Sequence, residues 1–224
     1  MSIPSLPSYP MPRDPVPNRV DWRPEAGRAA LLIHDMQDYF LGKYDVGQEP
    51  IPDLIAAIAR LRDQCRARGI PVFYTAQPPV QPEADRALLN DFWGPGLTAP
   101  EHRAGARIVP ALSPHPEDTV LTKWRYSAFQ RSDLRERLRA LGRDQLIITG
   151  VYAHIGCMTT ALEAFMLDIQ PFLAIDACAD FSLEEHRMAV RHVARRCGAS
   201  LTSDQILDAL AQGAAAPTAR EIPA

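Results

Sequence analysis

Short apolar segments alternate with helical patterns along most of this chain. In the clearest segment, residues 29–33 (AALLI), every residue is apolar. A strand without a polar face is typical of a parallel sheet that helices cover on both sides. Comparable segments recur at residues 71–76, 119–122, 145–149, 172–175 and 199–201. The pattern predicts an α/β fold, a doubly wound and mostly parallel sheet of about six strands with helices on both faces.

The segments between these strands carry helix signals. The longest predicted helix has Pro52 near its start, Gly69 as its stop, and apolar residues at helical spacing between them, namely Leu54, Ile58, Leu61 and Cys65. Further helices are predicted at residues 132–141 and 158–167. Two capping pairs, Ser182 with Glu185 and Thr202 with Gln205, predict the starts of the last two helices, which end near Arg196 and Leu210.

The chain is expected to form one domain. Its 224 residues, of which 46% are hydrophobic, can bury one substantial core, which we place at residues 1–210. Seven prolines within residues 1–24 predict an extended arm lying on the body of the domain. Residues 78–118 are rich in proline and turn formers around one helical piece near 83–90, which favours a lid or binding loop. Residues 211–224 have the composition of a linker.

Charge and composition exclude several classes of function. A net charge of −3 with scattered basic residues argues against nucleic acid as a partner. No apolar run approaches the roughly 20 residues of a membrane span, and the N-terminus lacks the apolar core of a signal peptide. We therefore expect a cytoplasmic protein. The four cysteines are widely spaced without a CxxC pair, which indicates reduced thiols rather than disulfides or a zinc site.

Polar side chains follow the predicted strands. Asp35, Gln77 and Lys123 each lie at or beyond a strand end, and the loop before Cys157 follows a fourth. In open α/β sheets, ligands bind beyond the carboxyl ends of the strands. Cys157 also lies near the start of the predicted helix 158–167, where free N–H groups around Gly156 favour a thiolate or a bound carboxylate. A buried apolar cysteine is equally compatible with this position.

The same loop carries a family resemblance. TGVYAHIGCMTTALEAFMLDI (149–169) resembles the nucleophile-loop region of isochorismatases, members of the isochorismatase-like cysteine hydrolase superfamily. Four more blocks resemble that family in the expected order: RAALLIHDMQDYF (28–40), YTAQP (74–78), LLNDFWGPGL (88–97) and KWRYSAF (123–129). The resemblance implies hydrolysis of the vinyl ether of isochorismate to 2,3-dihydro-2,3-dihydroxybenzoate and pyruvate in catecholate siderophore biosynthesis. It also implies a homodimer without a metal or organic cofactor, with siderophore assembly-line enzymes as possible partners.

Three residues match the family's Asp, Lys and Cys positions, namely Asp35, Lys123 and Cys157. Vinyl ether hydrolysis needs a proton at the terminal enol carbon, so we expect Asp35 to be the general acid. Lys123 is then occupied largely by the enolpyruvyl carboxylate. This chemistry does not require a thiolate, and Cys157 is expected in the pocket wall.

The remaining candidates would recognise the substrate. Gln77, Arg86 and Gly156 are expected to bind its carboxylates, and Phe40, Trp93 and Tyr152 to form an aromatic wall. Structural alternatives remain open. Arg86 is equally compatible with an ordinary solvated helix residue, and the three aromatic residues are compatible with ordinary packing in the core or a loop. Arg125 either completes the anion site or pairs with a nearby acid. His34 and His154 are interpreted as structural.

Three alternative functions remain. Some members of the family act on 2-amino-2-deoxyisochorismate in phenazine synthesis. A thiolate amidase of nicotinamidase type would use Cys157 as its nucleophile, with Lys123 and Asp35 assisting. The sequence lacks that group's cluster of metal-binding aspartate and histidine residues. A non-catalytic docking subunit is the third alternative.

Some isochorismatases continue into an aryl carrier domain, and we expect no such domain in this chain.

Overall fold

One parallel sheet of six strands forms the centre of the protein. The computed structural model describes residues 3–212. The strands are β1 (Ala29–His34), β2 (Val72–Ala76), β3 (Thr119–Thr122), β4 (Gln145–Val151), β5 (Gln170–Ala179) and β6 (Ala199–Leu201). Their order across the sheet is β3-β2-β1-β4-β5-β6, and all neighbours pair in parallel. The predicted fold class is confirmed.

Eight α-helices accompany the sheet within the described residues. They are α1 (Asp38–Leu41), α2 (Ile51–Ala67), α3 (Glu83–Arg86), α4 (Leu89–Trp93), α5 (Leu134–Ala140), α6 (Met158–Met166), α7 (Leu183–Arg196) and α8 (Ser203–Gln212). The helical piece predicted near 83–90 is two short helices, and α1 was not predicted.

Both predicted capping pairs are present. The Ser182 hydroxyl accepts the Glu185 N–H at 3.2 Å. Thr202 and Gln205 cap reciprocally, since each side chain accepts the other's N–H, at 3.2 and 3.0 Å.

The helices divide between the two faces of the sheet. Leu31 and Ile33 of β1 lie in an apolar cluster with buried residues of α2 and α8. Ala30 and Leu32, which point the opposite way, lie in a second cluster with α5, α6 and α7. Because β1 is buried on both faces, it has no polar side, which explains the uniform apolar segment in the sequence.

The proline-rich N-terminal segment lies along the body as an extended arm. The Leu6 and Tyr9 N–H groups donate to the carbonyls of Lys43 and Glu49, at 2.8 and 3.1 Å. The Tyr9 side chain is buried, and its hydroxyl lies 3.0 Å from His186 Nδ1. At the other end, α8 continues to Gln212, two residues past the predicted limit of the domain, and residues 213–224 of the predicted linker lie outside the described residues.

Among the described residues, no helix is both long enough and apolar enough to cross a bilayer.

The predicted end of β5 was wrong. The strand runs to Ala179 rather than stopping at residue 175, and Asp176 lies within it. The Asp176 carboxylate accepts the Ser203 N–H and hydroxyl, each at 2.6 Å, and so supports the start of α8. Asp180 and Phe181 therefore take the position beyond the strand end.

A topological switch point lies between β1 and β4. From β1 the chain builds outward through β2 and β3, and it then returns to add β4 on the other side of β1. The loops beyond β1 and β4 consequently diverge and leave a crevice at the carboxyl ends of these strands. The two strands approach closely there, since a Cβ on Gly150 (φ +105°) would lie 2.1 Å from the His34 carbonyl oxygen.

We expect Gly150→Ala to destabilise the protein by roughly 2 to 5 kcal/mol, because the added methyl group clashes with backbone and the positive φ is strained. Gly142→Ala is the matched control, since Gly142 also has a positive φ (+63°) but nothing lies within 4 Å of its added Cβ. Urea unfolding of both variants measures the difference. Equal losses would show that the β1–β4 contact does not constrain residue 150.

Candidate active site

Asp35 lies at the mouth of the crevice, directly after β1. Its φ of +51° is a left-handed conformation that aspartate tolerates better than most residues. Its N–H donates to the carbonyl and to the hydroxyl oxygen of Thr75, at 3.2 and 3.1 Å. The Thr75 hydroxyl in turn donates to Asp35 Oδ1 at 2.6 Å. The neighbouring strand β2 thus fixes both the backbone and one carboxylate oxygen of Asp35.

Lys123, after β3, occupies the other carboxylate oxygen. Its Nζ donates to Asp35 Oδ2 at 2.7 Å, and both residues are buried. Burial favours the neutral carboxyl group, but the neighbouring groups, first among them the Lys123 ammonium, outweigh it and hold the pKa of Asp35 far below its ordinary value. Asp35 is therefore a carboxylate in the free protein.

A pocket opens beside this pair and collects nearly all of the predicted site residues. Eight of the nine line it: Asp35, Phe40, Gln77, Arg86, Trp93, Lys123, Tyr152 and Gly156. They come from the segments after β1, β2, β3 and β4, and the carboxyl ends of parallel strands are where a ligand site was predicted. Cys157 is the exception.

Arg86 is a buried cation that faces the pocket. Its side chain is 5% exposed, its Nε donates to the Gly94 carbonyl at 2.9 Å, and its Nη1 has no hydrogen-bond partner in residues 3–212. It forms no ion pair with any described carboxylate, and burial lowers its pKa. The expectation of a solvated helix residue does not fit this environment. A guanidinium buried without a counterion favours a bound anion.

Other donors near Arg86 also lack partners. Gln77 Nε2 and the Tyr39 hydroxyl are buried and unpaired within the described residues. The Gln77 backbone is fixed by Gln37, whose side chain accepts its N–H and donates to its carbonyl, at 2.8 and 2.9 Å. Neither Tyr39 nor Gln37 was predicted. Tyr39 directly precedes the predicted Phe40, and no pattern in the sequence separates their roles.

Aromatic side chains form one wall of the pocket. The Tyr152 ring stands edge-on to Phe181, with centroids 4.7 Å apart, and its hydroxyl donates to the Phe40 carbonyl at 2.9 Å. Trp93 packs against Phe181 and donates from Nε1 to the Tyr126 hydroxyl at 2.8 Å. Phe181 was missed because β5 was expected to end earlier.

Arg125 lines the pocket as well, but its hydrogen bonds go to main chain. Its Nη1 donates to the carbonyls of Asp85 and Trp124, at 2.8 and 2.7 Å. It forms no ion pair with a described acid, so it braces the loop after β3 against the segment carrying Arg86.

The loop after β4 differs from the expected helix start. Residues Ala153–Cys157 form a π-helical turn, in which the N–H groups of Ile155, Gly156 and Cys157 all point to the Tyr152 carbonyl, at 3.2, 3.0 and 3.2 Å. The prediction of free N–H groups at Gly156 and Cys157 was therefore wrong. Gly156 is required for another reason, since a Cβ there would lie 2.4 Å from Cε1 of His34.

Cys157 lies behind the pocket rather than in its wall, which corrects the predicted position. Its thiol is fully buried, with Sγ 3.8 Å from the Thr149 carbonyl oxygen. Burial and the neighbouring Cys178 raise the pKa of the Cys157 thiol well above its ordinary value. The site disfavours the thiolate, because the charged form would have to exist without solvent.

His154, Asp180 and Glu185 lie close enough together to be considered as metal ligands. The Asp180 carboxylate is already engaged, since it accepts from His154 Nδ1 at 2.5 Å and from the His154 and Phe181 N–H groups at 2.6 and 2.8 Å. These bonds tie the turn after β4 to Phe181. The arrangement agrees with the structural interpretation of His154.

Comparison with known proteins identifies the relatives of the chain. The family model of the isochorismatase domain matches residues 29–205. Enterobactin synthase component B of Escherichia coli (strain K12) is 55% identical over 212 residues, which are 93% of this chain and 73% of that protein. The isochorismatase of Bacillus subtilis is 53% identical, covering 94% and 67%. Phenazine biosynthesis protein PhzD1 of Pseudomonas aeruginosa is 47% identical, covering 92% and 99%.

Solved structures agree on the fold. A cysteine hydrolase from Pseudomonas syringae pv. phaseolicola superimposes with a TM-score of 0.76 at 22% identity, covering 87% of this chain and 97% of that one.

We expect iodoacetamide to leave all four cysteines of the native protein unlabelled at pH 7.5, because each is buried. Mass spectrometry should find four additions after unfolding in guanidinium and none before it. Rapid native labelling at Cys157 would instead indicate an accessible thiolate.

Proposed function

The chain belongs to the isochorismatase family, and we propose that it hydrolyses the vinyl ether of isochorismate to 2,3-dihydro-2,3-dihydroxybenzoate and pyruvate. The observation that carries this proposal is a buried carboxylate, Asp35, in a pocket that also holds Lys123 and the Arg86 guanidinium, whose Nη1 has no partner in residues 3–212. An acid beside two cations suits a dianionic substrate that must be protonated. The pathway that we propose is catecholate siderophore biosynthesis.

Asp35 is the general acid in this mechanism. It transfers a proton to the terminal enol carbon, which converts the vinyl ether into an oxocarbenium ion. Water adds to the cation and returns a proton to the Asp35 carboxylate, and the resulting hemiketal collapses to pyruvate and the ring alcohol. One water molecule is consumed. Asp35 takes up a proton from solvent when the substrate binds, ends the reaction protonated, and releases that proton when the products leave. No residue forms a covalent bond, which agrees with the buried, neutral thiol of Cys157.

The substrate supplies the conditions that protonate Asp35. In the free protein the Lys123 ammonium keeps its pKa low. The enolpyruvyl carboxylate competes for Lys123 and adds negative charge beside Asp35, and both effects raise the pKa of the carboxyl group. A water-excluding pocket strengthens them.

Two groups of donors accommodate the carboxylates of the substrate. Lys123 binds the enolpyruvyl carboxylate next to Asp35. Arg86 and Gln77 present buried N–H groups that have no partner within the described residues, and the substrate's second carboxylate satisfies them. Phe40, Tyr152 and Trp93 enclose the ring, and Gly156 leaves room between the ring and the loop after β4.

A second substrate, 2-amino-2-deoxyisochorismate, is favoured by the similarity to a phenazine biosynthesis protein. It carries the same vinyl ether, so Asp35 serves both reactions. The thiolate amidase is disfavoured by the environment of Cys157. The docking subunit is disfavoured by an intact Asp35–Lys123 pair inside a pocket.

Location and assembly form the remaining part of the proposal. Four free cysteines support a reducing compartment, the cytoplasm. The family resemblance supports a homodimer that supplies its product to siderophore assembly-line enzymes.

The proposal predicts that the purified protein releases pyruvate from isochorismate in chelator-treated buffer. Asp35→Asn should lower kcat by roughly 10²- to 10⁴-fold, because the amide keeps the shape and tolerates the left-handed backbone but cannot donate the proton. Cys157→Ala should stay within several-fold of wild type. A coupled lactate dehydrogenase assay measures the pyruvate.

Asp38→Asn is the matched control, since Asp38 pairs with Arg107 at 3.0 Å and does not line the pocket. Loss of turnover in Cys157→Ala with an active Asp35→Asn variant would contradict the mechanism. Faster turnover of the amino analogue than of isochorismate would assign the protein to the phenazine reaction. A metal requirement would appear as activity lost with chelator and restored by added Zn²⁺ or Mg²⁺.

The homodimer predicts a mass of about twice the 24.8 kDa of one chain in sedimentation equilibrium. A single-chain mass at micromolar concentration would rule out a stable dimer.

A further inference from the structure

His34 is a buried titratable residue that the proposed mechanism does not use. It ends β1 directly before Asp35, is fully buried and does not line the pocket. Its Nδ1 lies 3.3 Å from Asp35 Oδ2, and its Nε2 lies 3.2 Å from the Thr160 hydroxyl oxygen. The imidazole thus stands between the carboxylate and α6, with Gly156 packed against its ring.

The direction of the bond to Thr160 sets which ring nitrogen carries the proton. Thr160 Oγ1 accepts the Ala128 N–H at 3.0 Å, and its own hydroxyl proton is available to donate to Nε2. With the hydroxyl donating, Nε2 is an acceptor, and a neutral ring carries its proton on Nδ1. Burial and the Lys123 charge lower the pKa of His34, so the ring is neutral. Asp35 and the Val151 carbonyl, both acceptors, also face the ring.

Within residues 3–212 the buried Nδ1 of His34 lacks a hydrogen bond of good geometry, although Asp35 Oδ2 lies 3.3 Å away. Lys123 holds the same oxygen at 2.7 Å. Hydrogen bonds of catalytic groups are often long in unliganded structures and tighten when substrate binds.

We propose that His34 is a positioning residue whose Nδ1–H, directed by the Thr160 hydroxyl, holds the Asp35 carboxyl group in place when Lys123 turns to the substrate carboxylate. This inference rests on the proposed function. Thr75 anchors Oδ1 from β2, and His34 anchors Oδ2 from behind the pocket. The second anchor does not compete with the substrate, since its donor is outside the pocket.

The same hydrogen bond affects the acidity of Asp35. An N–H that donates to the carboxylate stabilises its ionised form and lowers its pKa. Without this donor, the pKa of Asp35 rises in the enzyme–substrate complex, and the decline of kcat at high pH shifts upward. The other ionisable groups facing Asp35 are Lys123 after β3 and, after β4, Tyr152 and Cys157. All three stay the same in the variants described next.

Two matched pairs of variants test the proposal. His34→Leu removes the donor, whereas His34→Asn places an amide N–H near the position of Nδ1. Thr160→Val removes the hydroxyl at nearly constant shape, whereas Thr160→Ser keeps it. We expect His34→Leu and Thr160→Val to lower kcat about tenfold with KM within twofold of wild type, and to move the high-pH limb of kcat upward by about one pH unit. His34→Asn and Thr160→Ser should stay near wild type in both measurements.

Thermal unfolding of each variant separates this effect from simple loss of packing. If His34→Leu does not fold, the comparison of Thr160→Val with Thr160→Ser provides the test. An unshifted pH profile in Thr160→Val, or equal losses in His34→Leu and His34→Asn, would overturn the positioning role.

A readout without substrate distinguishes this inference from the proposed function. The ¹⁵N shifts of the imidazole in histidine-labelled protein should report an Nδ1–H tautomer in the wild type and a change of that signal in Thr160→Val. An Nε2–H tautomer overturns the inference even in an active enzyme. An Nδ1–H tautomer in a protein that does not release pyruvate leaves the Asp35 contact in place and refutes the proposed reaction.

Discussion

The site depends on one buried ion pair, Asp35 with Lys123. Two charges removed from water lose solvation energy that their mutual attraction repays only with good geometry and further hydrogen bonds. Here the 2.7 Å contact is supplemented by the Thr75 hydroxyl, and the pair joins the ends of β1 and β3 across the intervening β2. A pair of apolar residues would hold these strand ends together without the loss of solvation energy. The presence of charge at this position is therefore better explained by chemistry than by stability.

Unpaired polar groups around the pocket lead to the same conclusion. Most buried donors in folded proteins have partners, and each exception lowers stability unless something satisfies it. Within residues 3–212, Arg86, Gln77 and Tyr39 present such donors to one space. The protein tolerates these groups together, which is expected where a polyanionic ligand completes the hydrogen bonds.

The sequence was most informative where one physical requirement determined the residue type. Uniform apolar segments predicted the strands because a strand covered on both faces has no polar side. Reciprocal capping at Thr202 and Gln205 was predictable because two N–H groups at a helix start need acceptors. The ends of the predicted strands located Asp35, Gln77 and Lys123.

The sequence was less informative where several residues share one partner, as in the turn after β4, whose three N–H groups converge on the Tyr152 carbonyl. Phe181 was missed because it follows a strand that continues past Asp176. That continuation comes from the pairing of Cys178 and Ala179 with β4, which a local sequence pattern does not reveal.

The turn after β4 and the ion pair are connected through His34. The turn engages the N–H groups of Gly156 and Cys157 at the Tyr152 carbonyl, so the positive charge near Asp35 comes from side chains rather than from a helix end. It also places Gly156 without a side chain against His34, which allows the imidazole to lie between Thr160 and Asp35. In the proposed mechanism the acid consequently has one partner that the substrate can draw away, Lys123, and two that it cannot, Thr75 and His34. The substrate then changes the protonation of Asp35 while its position stays fixed, which is what proton transfer to a carbon atom requires.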